Sequence, residues 1–248
     1  MGSQDRLEKD RVRFAEWTRT ARESGETRAI PAATVVLLRD GSHGIETIML
    51  RKNSKIAFGG MWVFPGGRID DEDRRDLDAD DIVAAARVAA AREAREEADM
   101  IVDPSGLVLF AHWVPPAIAP KRYATWFFAA RAGTEQMVID DGEIVEGEWM
   151  STANALERHH EGEIELAPPT WVTLHTIDAF DEVDHALAAL DERPARYHET
   201  RIGRSTEGPV AMWAGDAGYD ANDPSAEGGR HRLEMFEQGY RYLDTDAR

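Results

Sequence analysis

The sequence predicts an α+β protein: an α/β/α layered domain around a mixed β-sheet, with an N-terminal helix and a C-terminal hairpin-like extension. Three observations predict it. Short β-branched and aromatic runs recur along the chain, an alanine-rich segment of helical character lies among them, and further helical segments follow the strands. With 248 residues, 42% of them apolar, the chain can build one large core with attached elements. The expected division is an N-terminal helix at 1–28, a core at 29–192 and an extension at 193–248.

The elements follow in order. From Gln4 to about Arg22, Leu7, Val12, Phe14, Ala15 and Trp17 stand among charges, the pattern of a helix packed by one side. "IPAATVVLL" from Ile30 is a buried strand, "RDGSHG" a turn and "IETIMLR" from Ile45 the returning strand. The short extended piece "MWVFPGG" ends on Gly66 and Gly67 and is followed by an acidic stretch, Arg68 to Asp80. A helix runs from about Asp81 to Ala98. Strands are expected at 106–113, 122–131 and 142–150, and a helix opening on the cap-like Ser151. One long helix is read from Pro168 to Leu190, and the remainder from about Arg193 is a loosely attached strand-and-hairpin piece.

Composition excludes several functions. The chain has no cysteine, so it holds no disulfide scaffold, thiolate zinc site or cysteine nucleophile. Its net charge of −18 opposes binding along a nucleic-acid backbone. No apolar run is long enough for a membrane span, and the charged start argues against a secretory leader. A cytoplasmic protein is the expectation. His159 and His160 read as a solvated pair at a helix end, and Trp213, Asp216, Tyr219 and His231 as a plain hairpin or as residues lining the substrate pocket or an oligomer contact.

The chemistry concentrates in "REAREEADM", Arg92 to Met100. Glu93 precedes Glu96 by three positions and Glu97 by four, so the three carboxylates share one helical face. Like charges crowded in this way call for a cation, and Mg²⁺ or Mn²⁺ prefers carboxylate oxygens. Arg92 can brace a carboxylate from the flank, and a Gly66 or Gly67 carbonyl can approach closely.

This segment, preceded by "FPGG", resembles the Nudix box, and the resemblance spans roughly Ile30 to Pro169. It implies a Nudix-type α/β/α sandwich that hydrolyses a nucleoside diphosphate linked to another group, with Mg²⁺ or Mn²⁺. It implies metal ligands Glu96, Glu97, Glu93 and Gly66, and a catalytic set of Glu93, Arg92 and Glu143, with Glu146 competing for the place of Glu143. The sequence departs from the motif in two ways. The stretch between Gly67 and Arg92 carries an acidic insertion, and the motif's earlier glutamate and closing glycine fall on Ala84 and Asp99.

The lead-in, with Arg51, Ser54, Gly60, Asp70 and Asp73, is similar to that of coenzyme A diphosphatases, the peroxisomal relatives in particular. That similarity implies cleavage of CoA or acyl-CoA to 3′,5′-ADP and 4′-phosphopantetheine. Arg51, Lys55 and Arg122, with Lys52 and Lys121, are then phosphate-binding candidates. An ADP-ribose or NADH pyrophosphatase is the alternative, kept open by Pro115 and Pro116, and a degenerate ligand-sensing domain is a third reading. The expected partner is a small-molecule nucleoside diphosphate derivative, with neither nucleic acid nor membrane; a homodimer stays open.

Overall fold

A computed structural model of the chain describes residues 3–25, 27–53, 59–75, 77–78, 80–134, 136–139 and 142–245. The long helix α1 (Ser3–Ser24) leads into β1 (Ile30–Gly41) and β2 (Gly44–Lys52), a hairpin. Two short strands follow, β3 (Trp62–Val63) and β4 (Gly66–Arg68), then a 3-10 turn at Asp71–Arg74 and the helix α2 (Ile82–Ala98). Next come β5 (Val108–Val114), β6 (Tyr123–Arg131), β7 (Ile144–Ser151) and α3 (Thr152–Glu161).

These strands and β8 (Arg196–Glu199) form one mixed sheet in the order β3-β2-β1-β6-β5-β8, with β4 paired to β1 and β7 to β2. β1 runs parallel to β6 and antiparallel to β2. Alternation along β1 divides the core. Ala33, Val35 and Leu37 face the alanine-lined side of α2, whereas Val36 and Leu38 join a second cluster with Phe64, Trp113 and Leu174. Both faces of the strand are thus covered, which explains its unbroken apolar run.

The expected helix at 168–190 is instead two, α4 (Pro168–Ile177) and α5 (Val183–Asp191). Two aspartates account for the break. Asp178 accepts a hydrogen bond from the Thr152 hydroxyl at 2.7 Å. Asp40, on the β1–β2 hairpin, accepts from the Val183 N–H at 2.9 Å and so caps the second helix. Short acidic side chains compete with helical backbone bonding in this way.

The C-terminal stretch is more than a hairpin. β9 (Arg201–Arg204), β10 (Pro209–Met212), β11 (His231–Phe236) and β12 (Gly239–Asp244) make a four-stranded antiparallel sheet. Ala211, Trp213, Leu233 and Met235 belong to the same buried cluster as Phe14 and Val36, so this piece is firmly packed rather than loose. α1 seals one side with Leu7 and Phe14, while Val12 lies off that stripe and is 46% exposed.

Candidate active site

α2 is placed by its ends and by its small side chains. Asp81 caps the N-terminus by accepting from the Ala84 N–H at 2.9 Å. Asp99 ends the helix in the left-handed conformation, φ 54°, which suits aspartate better than most residues. Ala86, Ala89, Ala90 and Ala94 are fully buried, and their size lets the helix lie close on β1 and β4. That closeness seats the carboxylates. Glu93 lies over Gly67, where any Cβ would run into its carboxylate. Glu97 accepts from the Gly66 N–H at 2.9 Å.

Glu97 is the deepest of the three, with a side chain 6% exposed, and the Lys52 ammonium lies 2.5 Å from its Oε1. The Lys52 Nζ is also 3.6 Å from Glu143, so the end of β2 joins α2 to the loop before β7. Burial raises the Glu97 pKa against the pull of Lys52 and of its hydrogen bonds. Burial likewise lifts Glu93, to about 7, with Glu97 and Glu96 adding to the rise and Arg92 opposing it. Burial works against the charge on Lys52, but Glu97, Glu143 and Glu93 more than offset it and its pKa is raised. Glu97, Glu143 and Glu93 thus all act on the ammonium of Lys52.

Arg92 organises the outer side. Its Nη1 donates to Glu93 at 2.8 Å and to Glu96 at 2.9 Å, and its Nη2 donates to the Arg68 carbonyl at 3.0 Å. Its Nε and Nη2 grip both oxygens of Asp73, each at 2.9 Å. Asp73 is 2% exposed, so the acidic insertion folds back onto the helix and supplies a carboxylate to Arg92. The sequence presents Asp73 as one acid of the lead-in among several; counted forward from Gly67 rather than back from Arg92, the motif's spacing falls on it, and that signal could have singled it out.

The structure thus brings Glu93, Glu97, Arg92, Glu143, Gly66 and Lys52 together. Glu96 stands at the rim with its side chain 58% exposed. It is the Gly66 N–H that meets Glu97. Arg51 and Glu146 pair with each other at 2.8 Å and line a cavity beside α1 and α3, away from Glu97, because successive strand residues face opposite sides. Arg122 donates to the Pro115 and Thr27 carbonyls, which engages its guanidinium in holding loops together. Lys55 and Ser54 lie outside the described residues.

One further expectation is corrected, and one pair of alternatives is decided. His159 is 1% exposed, not solvated, because α1 covers the end of α3 and Arg6 donates to the His159 and His160 carbonyls. The tail residues serve packing rather than the pocket. The Trp213 Nε1–H donates to Thr200 at 3.0 Å, and Asp216 takes both arms of Arg232 at 2.7 Å inside the second sheet.

Among the described residues no helix is long and apolar enough to cross a membrane. A comparison with curated proteins finds no match. The fold is similar to that of a Nudix hydrolase from Alicyclobacillus acidocaldarius, with a TM-score of 0.60 and 23% identity over 68% of this chain and 99% of that one. Weaker likenesses include the Nudix domain of Shewanella oneidensis NrtR complexed with ADP ribose, at TM-score 0.45 and 15% identity over 65% of this chain and 94% of that one. A C. elegans Ap4A hydrolase matches at TM-score 0.40 and 20% identity over 60% and 96%. The NUDIX domain model matches residues 29–170, more than half of the sequence and the span that holds the glycine pair and α2. The chain therefore belongs to the Nudix family, whose hydrolases act on pyrophosphate bonds.

Proposed function

We propose that this chain is a metal-dependent pyrophosphohydrolase that cleaves the diphosphate linkage of a nucleoside diphosphate derivative, with CoA or acyl-CoA as the favoured substrate. One observation carries the reading: Glu97 is buried and Glu93 half-buried against the glycine pair, and the removal from water raises both pKa values, the mark of carboxylates held in a functional pocket.

The donor chemistry fits a hard divalent cation such as Mg²⁺ or Mn²⁺. The carboxylates are turned to Lys52 and Arg92, and among the described residues no three acidic or imidazole groups converge as a ready-made cage. Glu97, Glu93 and Glu96 are the residues that would hold the cation, with Gly66 beside them. When bound, such a cation offsets charge on the diphosphate oxygens and favours a water nucleophile at neutral pH.

The rest falls to the chain. Glu93 or Glu143 accepts the proton of the water as its oxygen bonds to phosphorus and the bridging P–O bond breaks. Arg92 holds Glu93 and Glu96 in place. Lys52 sits between Glu97 and Glu143 and fixes their separation.

The CoA reading rests on the lead-in Arg51, Gly60, Asp70 and Asp73, and the ADP-ribose reading on Pro115 and Pro116 after β5. A cytoplasmic location belongs to the same proposal. The test is a hydrolysis panel of CoA, an acyl-CoA, ADP-ribose, NADH and dGTP with Mg²⁺ or Mn²⁺, with products identified by mass. Release of 3′,5′-ADP from CoA with ADP-ribose untouched is the expected result. Cleavage of ADP-ribose alone discards the CoA reading, and metal binding without turnover of any of them leaves a sensing domain.

A further inference from the structure

A hollow of about 740 Å³ lies between the C-terminal half of α1 and β9. Arg19, Arg22 and Glu23 line it from the helix and Arg204 from the strand. Among the described residues, none from α2 or the glycine pair shares its wall, so it is separate from the carboxylate site.

Its charge runs against that of the molecule. The chain carries −18 overall, yet here three guanidinium groups stand around one carboxylate. Arg19 reaches that carboxylate, Glu23, at 3.3 Å, one turn along the helix. Arg22 and Arg204 form no hydrogen bond and no ion pair among the described residues. Both are exposed, so their donors are accessible rather than locked into the fold.

Local geometry gathers the three. Arg19 and Arg22 are three positions apart and share one face of α1, which Ala15 and Thr18 complete opposite Ile202. Arg22, in the last turn, also offsets the negative end of the helix. That reason does not extend to Arg204, which ends the edge strand of the second sheet. Like charges facing each other across a gap repel, and an anion between them removes the repulsion. A guanidinium also presents paired N–H donors that match two oxygens of one phosphate or carboxylate. We propose that this hollow is a second ligand site for a small molecule carrying two or more oxyanions. Arg22 holds it from the helix and Arg204 from the strand, with Arg19 at the rim. The volume admits such a ligand.

Calorimetric titration of the full chain with pyrophosphate, and separately with citrate, tests this in metal-free buffer, where the carboxylate site has no cation to draw either anion. Saturable one-to-one binding is expected, and the tighter of the two anions tells phosphate from carboxylate recognition. Arg22→Glu and Arg204→Glu should each weaken it at least tenfold; both side chains are exposed, so the fold is kept. Arg193→Glu, the same change of charge at an exposed position outside the hollow, should weaken it less than twofold. Absence of saturable binding for both anions overturns the site. An equal loss in all three variants overturns it too, since that marks a general effect of charge.

Discussion

Arg92 and Asp73 meet edge to edge, with Nε–Oδ1 and Nη2–Oδ2 both at 2.9 Å, although Asp73 lies in the acidic insertion and Arg92 on α2. The same guanidinium reaches Glu93 and Glu96, so the insertion fixes the arginine that fixes the carboxylates. The pair raises the Arg92 pKa further, chiefly through these Asp73 hydrogen bonds.

Asp73→Ala should therefore act on stability and activity together. Removing one member of a nearly buried pair costs about 2–3 kcal/mol, less than for a fully buried pair because the Arg92 side chain is 25% exposed. Thermal unfolding should show the loss. Turnover should fall at least tenfold, whereas Glu72→Ala, an exposed neighbour, should change neither.

Gly67→Ala should separate the two effects. The new Cβ would meet the end of the Glu93 side chain rather than backbone, so the carboxylate moves and the fold stays. The expected result is a melting temperature within a few degrees of the parent and a kcat reduced by about 100-fold, on the scale of losing a positioned catalytic group.

Glu97→Gln should abolish metal-dependent turnover, and it should also cost stability. The amide keeps an acceptor for the Gly66 N–H but leaves the Lys52 ammonium buried opposite a neutral group. A loss of about 1–3 kcal/mol is expected in denaturant unfolding. Glu97→Gln with Lys52→Met should recover part of that stability and none of the activity.

Divalent cation should stabilise the parent protein. Ligand at about 100 times its Kd adds about 2.7 kcal/mol to unfolding. Differential scanning fluorimetry with Mn²⁺ should show the rise and EDTA should reverse it. A Glu97→Gln protein that gained as much from Mn²⁺ would place the metal elsewhere.

Buried histidines should make the fold acid-sensitive. Burial lowers His159 and His198 to about 3, with Arg6 and His231 respectively adding to the effect. The unfolded chain takes up those protons from 6.5 downward, so this stability is complete above 6.5 and is lost as pH falls toward 3. Glu93 titrates in the opposite sense between 4.5 and 7, because its raised pKa favours the folded state at the acid end. The test is accordingly a difference: His198→Gln should reduce the slope of stability against pH below 6.5 by about 1.4 kcal/mol per unit.

The local chain determined much of this protein. β1, β2, β5, β6, β7 and α2 lie within a few residues of where pattern and propensity place them, because each buries its own periodic apolar face. The carboxylate face of α2 was legible too, since helical spacing alone puts Glu93, Glu96 and Glu97 together. Tertiary contacts decided the rest. Asp178 and Asp40 break a helix that reads as continuous, through partners on α3 and on the N–H of Val183. β8, with His198 as its one buried residue, carries no apolar alternation and is held by its parallel pairing with β5 and by stacking on Trp113 at 3.8 Å. That Lys52 meets Glu97 was likewise invisible, because the two lie on segments whose separation in the chain encodes nothing about their distance in the fold. Periodicity is a property of one element, whereas an ion pair between elements exists only once both have been packed.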